Sequence, residues 1–170
     1  MDNILFAKLR EGAIIPQKDE WNAGYDIYPC FDEDYLVIPP HQTRLVPTGI
    51  ASVIPVDYYM QIQERGSSGS KGIKYSAGVI DSGYRGEWFL ATTNCNNKPL
   101  VILKSDLSTL PESIKSLIED TMIIYPYEKA LFQAIVHNVH NELGVKEIAP
   151  EEINNYPSQR GAGKLGSSGK

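Results

Sequence analysis

An all-β domain, a sandwich or jelly roll, is what this 170-residue chain predicts. Three observations predict it. The apolar segments are short and rich in β-branched and aromatic side chains. Gly, Pro, Asn and Asp punctuate them at close spacing. Only one stretch carries a helical period.

In chain order, 4–9, 25–28, 35–38, 43–46, 49–54 and 58–63 read as strands, with turns at Pro39-Pro40 and Pro55-Val56-Asp57. Gln61-Ile62-Gln63 alternates polar and apolar side chains, as a half-buried strand does. Segments 87–93, 100–103 and 131–139 add further strands. The exception begins at Thr109-Leu110-Pro111-Glu112, which has the form of a helix start, with Thr109 or Leu110 at the cap and Pro111 in the first turn. Ile114, Leu117, Ile118 and Met122 then recur at helical spacing. A helix over 109–121 is expected, inside an insertion of residues 104–124. Its apolar stripe reads chiefly as local packing, with a protein partner as the alternative. From Asn154 the chain is Gly/Ser-rich without apolar periodicity, the composition of a flexible arm. The expected organisation is a β domain over 1–153 and an arm over 154–170.

With 16 Lys+Arg against 21 Asp+Glu, the net charge is −5 and the pI is near 5.2. That balance argues against a general nucleic-acid binder but is compatible with a local basic pocket. No stretch approaches the roughly 20 apolar residues of a membrane helix. The start, Met1-Asp2-Asn3-Ile4-Leu5-Phe6, lacks the basic region and apolar run of a signal peptide. Cys30 and Cys95 form neither a disulfide framework nor a metal pattern and read as reduced thiols. A cytoplasmic protein is expected, with neither nucleic acid nor membrane as partner. His137 and His140 lack a third ligand at metal-site spacing, and all three histidines read as structural or surface.

Four stretches carry residues suited to chemistry. In Ala23-Gly24-Tyr25-Asp26-Ile27, Asp26 either holds a water or ion or simply bonds backbone amides. In Arg65-Gly66-Ser67-Ser68-Gly69-Ser70-Lys71-Gly72, small residues let backbone N–H groups converge on an anion, and Arg65 adds charge-assisted bonds. The plain alternative is a flexible loop; the spacing to Lys71 and the absence of an expected helix exclude a Walker motif. In Gly78-Val79-Ile80-Asp81-Ser82-Gly83-Tyr84-Arg85-Gly86, Asp81 ends a short strand on a glycine-flanked turn. A carboxylate there can take a proton from water, and Tyr84 can stack on a base or sugar. The plain alternative is an Asp turn with an exposed Tyr. In the run from Arg160 to Gly169, Arg160 can fork onto phosphate oxygens. Gly166, Ser167 and Ser168 can wrap a phosphate chain, or the run is an unstructured end.

In this order the stretches resemble the motifs of the trimeric dUTPase family. Ala23-Gly24-Tyr25-Asp26 resembles motif one, Arg65-Gly66-Ser67-Ser68 motif two, and Gly78 to Gly86 motif three. Ala130-Leu131-Phe132-Gln133-Ala134-Ile135 resembles motif four, and Arg160 to Gly169 motif five. The resemblance implies a distorted jelly-roll subunit in a homotrimer, with active sites shared between chains and a C-terminal arm that closes over them. It implies hydrolysis of dUTP to dUMP and pyrophosphate, with Asp81 activating water for attack on the α-phosphorus. Mg2+ would bridge the phosphates, touched by Asp26 through water. Arg65, with Ser67 or the Gly66 amide, would bind the phosphates and the leaving group, and Gln133 would hold a phosphate or a water near it. Backbone groups of Gly78, Val79, Ile80 and Asp81 would read uracil, and Tyr84 would pack on deoxyribose. Arg160, Leu165, Gly166, Ser167 and Ser168 would close the site.

The chain departs from the family pattern in three places. Gly66 intervenes where motif two usually has Ser, so either Ser67 takes that role or the Gly66 amide does. Motif four usually opens Gly-Asp-Arg, and here reads Glu128-Lys129-Ala130. The motif-five Phe is Leu165, an apolar lid without a ring. A dCTP deaminase of the same fold needs a glutamate at the position of Ala91 and is disfavoured. A non-catalytic nucleotide-binding or regulatory protein is disfavoured by the retained Asp81, Tyr84 and Arg160.

Overall fold

The computed structural model describes residues 3–108 and 110–158. Contacts divide the chain after Val139. The β architecture lies in the first unit, and the expected arm boundary at 154 lies inside the second. The first unit carries β1 (Leu5–Lys8), β2 (Gly24–Ile27), β3 (Tyr35–Ile38), β4 (Thr43–Pro47), β5 (Ile50–Val53) and β6 (Tyr58–Glu64). After a helical turn, α1 (Gly66–Gly69), come β7 (Ile73–Tyr75), β8 (Val79–Ile80), β9 (Phe89–Asn94) and β10 (Leu100–Leu103). Helix α2 (Glu112–Thr121), β11 (Ile123–Pro126) and β12 (Phe132–Asn138) complete it. The strands form small sheets in the orders β1-β5, β11-β10-β3, β2-β12-β6-β8 and β4-β9-β7. The jelly-roll expectation holds, with most of the expected strands present to within a residue or two.

Alternation builds the core. Met60 and Ile62 of β6 and Phe132 and Ala134 of β12 point inward and are at most 1% exposed, while Gln61, Gln63 and Gln133 face outward. Trp88 is fully buried; its ring packs edge-on to Phe6 at 5.5 Å and its indole N–H donates to Ser52 Oγ at 3.1 Å. Asn94 is buried too, and its amide is satisfied by the carbonyls of Ile38 and Lys98 at 3.0 and 2.8 Å. A buried amide left unpaired would cost about 1–3 kcal/mol, so these bonds permit it in the core.

Two local expectations are corrected. The stretch after Arg65 is a helical turn, not an open loop. Arg65 N–H donates to Ser68 Oγ at 3.2 Å, and the amides of Ser68 and Gly69 donate to Arg65 O at 3.1 and 2.8 Å. Helix α2 is shorter than expected. Pro111 is extended (ψ 145°) and sits at the cap, its carbonyl accepting from Ile114 and Lys115; Thr109 lies outside the described residues. The helix ends because Met122 turns extended to feed β11, which pairs in parallel with β10. Parallel neighbours need a crossover, and residues 104–122 supply it. The sequence pattern signalled neither β11 nor this pairing. The stripe is packed only in part: Ile114 and Leu117 are 43% and 60% exposed, whereas Ile118 and Met122 are half-buried.

In the second unit a 3-10 turn spans Pro150–Asn155, and Leu143, Val145, Ile153 and Tyr156 are exposed. No helix among the described residues is long and apolar enough to cross a membrane.

Candidate active site

Two clefts gather the sequence-predicted residues. The first, of about 320 Å3, is lined by Asn22, Ala23, Gly24, Asp26, Arg65, Gly66, Ser67 and Gln133. Strand register explains the grouping. Gln133 of β12 lies between Asp26 of β2 and Gln63 of β6. Period two puts all three on one face, and Arg65, two residues past Gln63, continues it. The Arg65 guanidinium forks onto Asp26, Nε to Oδ1 at 2.9 Å and Nη2 to Oδ2 at 3.0 Å. Its Nη1 donates to Ala130 O at 3.1 Å. Both side chains are about 30% exposed (27% and 32%), so the pair contributes on the order of 1 kcal/mol. Its larger effect is orientation, since a planar fork fixes both partners.

Gln133 donates Nε2–H to Glu64 O at 2.8 Å, which holds its amide flat over the cleft floor. Gly24 makes room for it, because a Cβ there would lie 2.8 Å from Gln133 Cδ. Gly66 is exposed, and a side chain added there would meet open space. Ser67 Oγ is buried and makes no hydrogen bond of good geometry, although it lies near enough to the Tyr125 hydroxyl to favour that group's ionised form. Burial outweighs this and raises the Tyr125 pKa above its usual value.

The second cleft, of about 230 Å3, is lined by Ala77, Gly78, Val79, Ile80, Asp81, Tyr84, Glu87 and Phe89. It is shaped by backbone. Ile62 N–H donates to Gly78 O at 2.7 Å, making Ile62 and Gly78 a hydrogen-bonded pair. The next pair, Gln61 and Val79, is then the non-bonded one. Since β8 is an edge strand, the Val79 N–H and C=O point outward, unpaired by β6. Gly78 is required by close approach: a Cβ would lie 2.8 Å from the Tyr75 ring and 2.9 Å from Ile62 Cβ. Asp81 opens a turn closed by Tyr84 N–H to Asp81 O at 3.1 Å, and its carboxylate is exposed. The Tyr84 ring folds over Gly86, where a Cβ would meet the phenol carbon Cζ at 2.7 Å, and its hydroxyl donates to Glu87 O at 2.9 Å.

Sequence reasoning missed three contributors. The Glu87 carboxylate accepts from Gly49 N–H at 2.9 Å and from Arg10 Nε at 3.3 Å, anchoring the end of the turn. Gly24 and Tyr125 support the first cleft. Nothing local marks Glu87 or Tyr125, because their partners are distant in sequence. Arg160, Leu165, Gly166, Ser167 and Ser168 lie outside the described residues.

The clefts are not adjacent within one chain. Ile80 pairs with Met60, so Asp81 falls beside Tyr59, six residues along β6 from Arg65. At about 3.3 Å per residue that is roughly 20 Å. Among the described residues no three His, Cys, Asp or Glu side chains cluster as a metal site.

The dUTPase family model matches residues 10–106. The chain is 37% identical over 103 residues to the deoxyuridine 5'-triphosphate nucleotidohydrolase of Leptospira interrogans, covering 58% of this chain and 70% of that one. To the nucleotidohydrolase of the same name from Candida glabrata it is 30% identical over 171 residues, covering 99% and 98%. In fold it is similar to Staphylococcus bacteriophage 80alpha dUTPase, solved with dUpNHpp, at a TM-score of 0.72 and 20% identity over 100% of both chains. It is also similar to a point mutant of the dUTPase from phage phi11 of S. aureus, solved with a structural Mg(II) ion, at a TM-score of 0.66 and 20% identity over 89% and 99%. With the family model spanning more than half the chain and a relative matched end to end, the chain belongs to the dUTPase family.

Proposed function

We propose that the protein hydrolyses dUTP to dUMP and pyrophosphate. The observation that carries this, beside family membership, is the Gly78–Gly86 turn. It sets an exposed carboxylate, Asp81, beside a small cleft walled by Tyr84 and edged by free backbone groups. The outward N–H and C=O of Val79 can pair with a uracil edge as a neighbouring strand would. Asp81 takes a proton from water, the water oxygen bonds to the α-phosphorus, and the bond to the bridging oxygen breaks to release pyrophosphate. Tyr84 packs on the deoxyribose and leaves no room for a 2′-hydroxyl.

The Asp26–Arg65–Gln133 cleft receives the phosphates. The exposed backbone of Gly66 suits an anion better than the buried hydroxyl of Ser67. Asp26 is already forked by Arg65, so a direct metal ligand would have to displace a guanidinium. Its carboxylate suits contact through water with Mg2+ carried on the phosphates, a cation that keeps several waters. Bound there, Mg2+ would supply positive charge to neutralise the triphosphate.

The homotrimer belongs to the same reading. A triphosphate cannot span clefts some 20 Å apart along one sheet, whereas a second copy can bring its own Asp81 turn to the Arg65 cleft. The arm from Arg160 to Gly169 closes over the joined site. A protein partner at α2 fits its exposed Ile114 and Leu117. A cytoplasmic setting fits two unpaired thiols.

Pyrophosphate release from dUTP, measured with and without Mg2+, tests the function. Wild type should turn over and Asp81→Asn should bind nucleotide without turnover. Full activity in that variant would remove Asp81 from the reaction. Ammonia from dCTP would instead select the deaminase reading, although Ala91 is 7% exposed within β9 and offers no carboxylate.

A further inference from the structure

We propose that Tyr125 is a positioning residue for the phosphate cleft, holding the Ala130 carbonyl against which Arg65 braces; this rests on the proposed role of that cleft. The Tyr125 side chain is fully buried, and its hydroxyl donates to Ala130 O at 2.6 Å. The same oxygen accepts from Arg65 Nη1 at 3.1 Å. Both lone pairs of that carbonyl are therefore used, one by a rigid core ring and one by the guanidinium. The other edge of the guanidinium is fixed by Asp26. Of its five N–H groups, three are committed, two to Asp26 and one to Ala130. One N–H on Nη1 and one on Nη2 stay available, the pair that can fork onto phosphate oxygens.

Tyr125 also closes the turn that stands where the family's Gly-Asp-Arg is replaced by Glu128-Lys129-Ala130. Lys129 N–H donates to Pro126 O at 3.1 Å, and the phenol then clasps the far end of the turn. Ala130 has no side chain long enough to fix its own backbone. The clasp comes from β11, the strand delivered by the 104–122 crossover, so this excursion is tied to the site through a single hydroxyl. Burial raises the pKa of that phenol above its usual value.

Tyr125→Phe removes the hydroxyl and keeps the ring in the core. Ala130 O retains Arg65 as donor, so no buried acceptor is left bare. KM for dUTP and the Kd for pyrophosphate should each rise about three- to tenfold, the range expected for one hydrogen bond. The kcat should change less, and inhibition by deoxyuridine, which reaches only the Gly78–Tyr84 cleft, should be unchanged. Tyr35→Phe, which removes the same atom from an exposed ring of β3, should leave KM at the wild-type value. Should Tyr125→Phe fail to fold, Tyr125→Met should give the same split. A folded variant with wild-type KM and pyrophosphate affinity overturns the proposal, as does an equal loss of deoxyuridine binding. Wild-type protein inert toward dUTP would defeat the functional reading instead, while pyrophosphate binding would still decide the role of Tyr125.

Discussion

The two clefts are built by different means. The Gly78–Tyr84 cleft comes from one continuous stretch, and its shape is backbone: an edge strand, a four-residue turn and glycines that admit rings. The Asp26–Arg65–Gln133 cleft is assembled from side chains on β2, β6 and β12, and an ion pair and amide bonds hold it. In the proposed reading the first serves recognition and proton transfer, where small errors in backbone position decide the fit, and the second serves charge, where a few fixed donors suffice. The difference teaches why the family pattern is kept closely in one place and varied in the other. A shape made of backbone tolerates little substitution. A polar cleft can exchange Ser for a Gly amide, or an Arg for a carbonyl clasped by Tyr125.

The largest expected effect breaks the recognition cleft. Asp81→Asn should lower kcat by roughly 10²–10⁴-fold, the usual contribution of a general base, with dUTP affinity retained by calorimetry. Arg65→Lys should act on the other cleft and differently. Loss of the fork to Asp26 and of the second contact should raise KM by about tenfold to a hundredfold, as for bonds to charged groups, with kcat less affected. The two variants also test whether the clefts meet across chains. Each is weak alone, but mixed after unfolding and refolding together they should regain turnover, since some sites then pair an intact Asp81 with an intact Arg65. Absence of any recovery in mixed trimers would mean the clefts serve one chain each.

The same contrast explains what was legible in the sequence. Gly78 to Gly86 was readable because spacing along the chain is spacing in the turn: Asp81, Tyr84 and Gly86 meet within a few residues. Asp26, Arg65 and Gln133 were recognisable singly. Their fork and their shared face were not, because strand register decides both, and register depends on pairings 107 and 70 residues apart in sequence. The helical turn after Arg65 was hidden by its Gly and Ser composition, which favours loops until Ser68 and Arg65 satisfy one another. The strand β11 was hidden by a parallel pairing that no local signal announces. Helix α2 was visible from its period, but its first turn was misplaced, since Pro111 serves as cap as readily as first helical residue.

A smaller effect probes the backbone shape directly. Gly86→Ala places a methyl against the Tyr84 phenol, so the ring must shift from its contact with Glu87 O. The overpacking is relieved at the surface, since Tyr84 is 43% exposed, and stability should fall by only about 1 kcal/mol. Discrimination should fall more. The ratio of kcat/KM for dUTP over UTP should drop about tenfold, because the displaced ring no longer blocks the ribose hydroxyl. An unchanged ratio would remove Tyr84 from sugar selection.

The smallest effect concerns the arm. By the motif-five resemblance Leu165 replaces a Phe, and the proposed reading then gives the nucleoside cleft an apolar lid that lacks ring stacking. Leu165→Phe should restore roughly 0.5–1.5 kcal/mol, the scale of an aromatic pair, and lower KM about threefold to tenfold. Combined with Tyr125→Phe, which acts on the phosphate cleft, the two changes should add on a logarithmic scale, because they load opposite ends of one substrate. A deviation from additivity larger than about 0.5 kcal/mol would mean that the lid and the phosphate cleft are coupled through the bound nucleotide rather than independent.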